Sequence, residues 1–135
     1  MSTFPLKIVT PDGLLFDGEA QRLVVRTTEG DIAVMSRHIN CVAPLGMGRA
    51  TVVNADGERR HAACIGGILS VVNGEVNLVP TTFEWAESID AARAQLSMER
   101  AERVLKSKDA SDQDIRLAEA RLHRALVRRS VASNK

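Results

Sequence analysis

Two H-x-x-C pairs, His38-Ile39-Asn40-Cys41 and His61-Ala62-Ala63-Cys64, together carry the ligand set of a two-cysteine, two-histidine zinc site. Their placement argues against one. His61 and Cys64 fall in one strand-like run, where residues three apart face opposite sides, so both cannot reach a single ion without a bulge. Cys64 is read as a buried thiol, His61 as a surface residue, and no metal is expected. The second constellation is basic. Arg93 and Arg100 stand seven apart on one helical face, and Arg124 and Arg128 form an i,i+4 pair in a later helical run. If the two helices are antiparallel, these four guanidiniums can converge on one polyphosphate through charge-assisted, forked contacts. Asp90 reads as a first-turn carboxylate favoured by the helix dipole, with Arg93 as its i,i+3 ion-pair partner.

Signatures of catalysis fail in turn. There is no G-x-x-x-x-G-K-[ST], Gly46-Met47-Gly48 is followed by Thr51 where a dinucleotide turn needs its third glycine, and Ser70 lies in an apolar run without a G-x-S-x-G elbow. The chain is therefore read as a non-enzyme. Its 135 residues carry 18 Lys+Arg against 17 Asp+Glu, a net charge of +1 that provides no global field for a polyanion. With three Phe, one Trp and no Tyr, base-stacking platforms are lacking too, and no nucleic-acid partner is expected. No run approaches 18 apolar residues, and Met1-Ser2-Thr3-Phe4-Pro5-Leu6-Lys7 lacks the charged-then-apolar order of a signal peptide. The expectation is a chain that stays on the side of the membrane where it is made, with Cys41 and Cys64 reduced.

The elements that position these residues change character along the chain. All nine glycines and all four prolines precede Thr81, and such a break in punctuation marks a domain boundary. It is placed here between residues 84 and 85. Before it, Val-, Ile- and Thr-rich runs at residues 6–10, 21–27, 31–35, 49–53, 60–65, 68–72 and 76–79 alternate with turn residues, among them the Asn73-Gly74 pair of a type I′ hairpin. Seven or eight short strands in this length bury their inner faces by folding over each other, as a flattened β-sandwich or barrel. After the boundary the period becomes helical: Ala94, Met98, Ala101 and Leu105, then Ile115, Ala118, Leu122 and Ala125. Ser111 and Asp114 form a capping box for the second helix, and the short polar connector makes the pair an antiparallel hairpin. Half of its apolar stripe is alanine, so the hairpin is marginal by itself. Residues 85–135 hold 11 basic and 8 acidic groups, against 7 and 9 in residues 1–84. Most of the excess is Arg116, Arg121, Arg124, Arg128, Arg129 and Lys135, facing only Glu119, which fits an acidic surface or a phosphate.

Four motifs in order carry a family resemblance. Val9-Thr10-Pro11-Asp12-Gly13, Glu29-Gly30-Asp31-Ile32-Ala33-Val34-Met35-Ser36-Arg37-His38, Gly66-Gly67-Ile68-Leu69-Ser70-Val71 and Ile89-Asp90-x-x-Arg93-Ala94 resemble the epsilon subunits of bacterial F-type ATP synthases over nearly the whole chain. The resemblance implies a non-catalytic rotor subunit, peripheral on the cytoplasmic face of the plasma membrane. Its β domain touches the gamma subunit and the polar loops of the c-ring, with Glu29, Asp31 and His38 near the rotor contact. Its mobile helical domain reaches the α/β head through the basic helix and restrains ATP hydrolysis, with residues 81–88 as the hinge. No cofactor is required. ATP is implied as a regulatory ligand at Glu84, Ile89, Asp90, Arg93, Ala94, Arg100, Arg124 and Arg128. The alternative is a free-standing nucleotide sensor using the same helical site. One loop departs from the family pattern: Ala33-Val34-Met35-Ser36-Arg37-His38 stands where the family usually has a glycine and then Pro-Gly before the histidine.

Overall fold

The computed structural model describes residues 2–133; Met1 and Lys135, both used above, lie outside them. The chain divides into two compact units, the first ending at Trp85 and the second beginning at Ala86.

The first unit has seven strands: β1 (Phe4–Thr10), β2 (Gly13–Thr27), β3 (Gly30–Val34), β4 (Cys41–Pro44), β5 (Met47–Asn54), β6 (Arg59–Val72) and β7 (Glu75–Trp85). Pairing runs β1–β7–β6–β5–β2 and returns to β1, so the sheet closes on itself, with β3 added beside β2 and β4 beside β6. Closure removes the open edges that a small sheet would otherwise present. Leu6, Ile8, Leu23, Val25, Val52, Leu69, Val71 and Leu78 are all below 2% exposed in its interior. Each contributes roughly 1.5–3 kcal/mol by leaving water. One end of the core is closed by a cation. Arg60 shares a ladder position with buried Val52, and its guanidinium lies 3.7 Å over the Trp85 ring, which meets Phe83 edge-on at 4.9 Å.

Four elements differ from the sequence reading, the first being β2, which begins at Gly13 rather than at residue 21 and pairs its first half with β1. β4, only four residues long and half-exposed, is absent from that reading. The runs at 60–65 and 68–72 are one strand, bent where Gly66 (φ +67°) and Gly67 (φ +100°) take β6 from pairing with β5 to pairing with β4. Gly66 N–H donates to Gly46 O at 3.0 Å, and Leu45 N–H to Gly67 O at 2.8 Å, so the corner remains hydrogen-bonded. β7 continues past Val79 because Pro80, which has no N–H to give, sits opposite Gly67 at the same corner. Residues 81–85 are therefore paired strand rather than hinge, and Ala86–Ser88 is a single 3-10 turn packed on the second helix.

The second unit holds α1 (Ala91–Lys106) and α2 (Asp112–Ser133). Both starts are capped by side chains. Arg93 N–H donates to Asp90 Oδ1 at 3.0 Å. Asp114 N–H donates to Ser111 Oγ at 3.1 Å, while Ser111 N–H donates to Asp114 Oδ2 at 3.3 Å, a reciprocal box. Ala94, Met98, Ala101, Ala118, Ala125, Val131 and Ala132 are buried, so alanine dominates the packing and lets the helices approach closely.

Candidate functional site

Helix geometry decides which arginines meet. Arg129 Nη1 donates to Gln95 Oε1 at 3.2 Å and lies 3.4 Å from Met98 Sδ, which places the start of α1 beside the end of α2 and makes the pair antiparallel. From that alignment Arg100 is level with the Arg124 turn. At about 1.5 Å rise per residue, Arg93 lies about 10 Å further along the axis, toward and past Arg128. Each residue advances about 100° around its helix. Arg93, Arg100 and Arg124 each directly precede a buried alanine of the seam, Ala94, Ala101 and Ala125, and Arg128 precedes buried Ala132 by four. In an antiparallel pair, positions that precede the seam fall on the same side of both helices. All four arginines therefore share one side of the hairpin. Arg129, which follows Ala125 by four, falls on the opposite side with Gln95 and Met98 and acts as a strut. Arg93 and Arg100 are exposed, Arg124 and Arg128 half-buried.

Asp90 is used differently from the sequence reading. It stands one residue before α1 as its N-cap, and its carboxylate accepts from the Arg93 backbone rather than serving as a first-turn partner of the guanidinium. Ile89 is buried beside it, Ala94 is in the seam, and Glu84 belongs to β7 of the first unit, opposite Ala63.

In the β unit, Glu29 and Asp31 sit on the β2–β3 hairpin, exposed, with Glu29 N–H donating to Thr27 Oγ1 at 3.2 Å and Asp31 3.5 Å from Arg26. That ion pair is solvent-exposed and worth about 0–1 kcal/mol. His38 lies beyond the other end of β3, half-buried, with Nδ1 2.8 Å from Ile39 O. The length of β3 thus separates it from the other two. His38 N–H donates to Met35 O at 3.2 Å, closing a turn whose third residue, Arg37, has φ +67°. A turn with positive φ there favours Pro then Gly at its two central positions, which accounts for the family pattern this chain lacks. Holding a non-glycine residue in the left-handed region costs about 1–2 kcal/mol. The sheet carries an exposed apolar row, Pro44, Ile68 and Val79, in register across β4, β6 and β7, with Val42 (69% exposed) two positions along β4 and Ile39 (77%) exposed two residues before that strand.

The zinc ligand set is dispersed. His61 Nδ1 is 3.0 Å from Thr51 Oγ1, Cys64 is in the core, and among the described residues no three His, Cys, Asp or Glu side chains gather as a metal site. Burial pushes the Cys64 thiol up from 9.0 to about 12. The thiolate is the reactive form, so at pH 8 a thiol reagent should label one equivalent per folded chain, at half-buried Cys41, and two in denaturant. Because the folded-state value is the raised one, the stability it confers is complete below the unfolded value. It should then decline by up to about 1.4 kcal/mol per pH unit between about 9 and 12, which alkaline urea titrations measure. Rapid labelling of both thiols in the folded chain would refute this assignment.

Comparison with known proteins gives one consistent result. Residues 3–86 match the family described as ATP synthase, Delta/Epsilon chain, beta-sandwich domain, and residues 87–133 the one described as ATP synthase, Delta/Epsilon chain, long alpha-helix domain. The chain is 42% identical to the ATP synthase epsilon chain of Bacillus velezensis over 134 residues, covering 99% of this chain and 100% of that one. It is 37% identical to that of Caldanaerobacter subterraneus over 131 residues, covering 97% and 94%. Among solved structures, a chain of the Euglena gracilis mitochondrial ATP synthase superposes with a TM-score of 0.85 at 21% identity, covering 100% of this chain and 83% of that one. One from the central stalk and c-ring of the Tetrahymena thermophila enzyme gives 0.65 at 13%, covering 95% of each. At these identities the structural likeness is one of fold.

Proposed function

The chain belongs to the ATP synthase epsilon-chain family, and from that membership we propose that it is the stalk subunit whose β unit joins gamma to the c-ring while its helical unit restrains ATP hydrolysis. It is a subunit of the ATP synthase rather than its catalyst. The observation that supports docking through the β unit is the exposed row Pro44, Ile68 and Val79 with Val42 and Ile39. A contiguous apolar surface on a small domain is a recognition surface, because its burial against a partner removes it from water. The basic helix supplies the second contact. Arg116 and Arg121 on α2 are exposed and suited to an acidic segment of the α/β head. The subunit is held peripherally on the cytoplasmic face of the bacterial plasma membrane through this assembly. The one-sided set Arg93, Arg100, Arg124 and Arg128, with Ile89, Asp90 and Ala94 of the same unit, is proposed to bind ATP as a regulatory ligand; Glu84, the remaining residue that the resemblance implies, belongs to the first unit.

Ending the chain at Ala86 tests the division of labour, and keeps Trp85, whose ring covers the core. The shortened chain should still join a complex depleted of this subunit, and ATP hydrolysis by that complex should rise above that of the complex with the full chain. Reversing Arg116 and Arg121 to Glu should act in the same direction without disturbing the Arg129 strut. Equal hydrolysis with all three chains would make the helical unit a passive element, and failure of the shortened chain to bind would remove docking from the β unit.

A further inference from the structure

Arg37 is the one described residue whose type opposes its backbone. Among the described residues two non-glycine residues have positive φ, Asn73 and Arg37. Asn73 sits in an Asn-Gly hairpin that favours this conformation. Arg37 has neither the freedom of glycine nor the short polar side chain with which Asn and Asp satisfy themselves locally. Nor does the fold use the guanidinium: among the described residues Arg37 makes no ion pair and no side-chain hydrogen bond, and it is exposed. Strain kept at an exposed turn with no return to the fold points to a use outside it. The surroundings indicate the use. Met35 and Ile39 flank the turn, both exposed, and Asn40 Oδ1 accepts from Asn73 N–H at 2.8 Å, tying the segment that follows the turn to the tip of the β6–β7 hairpin. A cation flanked in the chain by two exposed apolar side chains is desolvated when a partner covers all three, and it then demands an opposite charge.

We propose that Arg37 determines which rotor partner this subunit accepts, by pairing with a carboxylate on an acidic segment of that partner while Met35 and Ile39 seat on apolar surface around the pair. This rests on the docking reading above. The test measures affinity for the depleted complex and thermal stability of the chain with Arg37→Gly, Arg37→Glu and Ile39→Ala. Arg37→Gly should raise the melting temperature by about 4 °C yet weaken binding about tenfold, and Arg37→Glu should weaken it further. Added salt should loosen the wild-type complex and the Ile39→Ala complex alike, and should affect the Arg37→Gly complex less. A merely structural residue would move stability and affinity together. Wild-type binding with Arg37→Gly binding equally well, at the same salt dependence, overturns this proposal alone. Absence of wild-type binding overturns the docking reading and the proposal with it.

Discussion

Gly67→Ala should destabilise the β unit by about 3–5 kcal/mol, the combined effect of overpacking and backbone strain. A Cβ at this position would lie 2.1 Å from Val79 O and 2.5 Å from Pro80 Cα. These are backbone atoms of the neighbouring strand, so no rotamer change relieves the clash, and separating the strands breaks the corner that lets β6 pair with both β5 and β4. The φ of +100° adds strain of its own. Gly57→Ala is the control, with φ +84° but nothing within 4 Å; strain alone should cost it about 1–2 kcal/mol. Urea midpoints at unchanged slope report the difference. Equal losses for the two variants would mean that β6 and β7 can part at this corner without penalty.

The same corner explains how much of the β unit could be read from sequence. Alternation and turn chemistry locate β1, β3, β5 and the Asn73-Gly74 hairpin, because each is set by neighbours in sequence. Gly66-Gly67 reads locally as a break between strands. Only the hydrogen bonds shared with residues 45 and 46, some twenty positions earlier, show that it is a bend within one. Pro80 reads as a strand end for the same reason, and β4 is too short to show a period at all. The errors at Gly66-Gly67 and Pro80 concern the corner where β6 changes partners, and a partner far away in the chain leaves no local mark.

The helical unit is more legible because its structure is local. Capping at Asp90 and Ser111, and the spacing of Ala94, Met98 and Ala101, depend on residues within a turn or two. Arg129 is the exception. In sequence it is one more cation of a basic tail, and its role as a strut follows only from the side of the seam on which it falls, 34 residues from Gln95. Arg37 is half legible: the missing Pro-Gly is visible in sequence, but the positive φ that the arginine occupies is not.

If the four one-sided arginines hold ATP, Arg124→Ala should weaken ATP binding by about tenfold to a hundredfold, since a hydrogen bond between charged groups contributes about 1.5–3 kcal/mol. Arg124 is the cleaner probe than Arg93, whose backbone N–H is part of the Asp90 cap. The seam behind these arginines is weak, with Met98 and Val131 the largest of its buried side chains. A ligand that binds only the closed hairpin adds about 2.7 kcal/mol at one hundred times its Kd, enough to slow amide exchange in α1 and α2 about a hundredfold while exchange in the β unit stays unchanged. Arg129→Ala separates ligand contact from hairpin integrity. It should speed exchange in α1 and α2 even without ATP, and lower ATP affinity only through the smaller population of closed hairpin. The salt dependence of binding should therefore survive Arg129→Ala and diminish in Arg124→Ala, because only the latter removes a charge–phosphate contact. Calorimetry without heat at millimolar ATP, together with unchanged exchange in the helices, would exclude ATP as the ligand of this arginine face. The acidic surface proposed above as the partner of Arg116 and Arg121 would then be left to set the position of the hairpin.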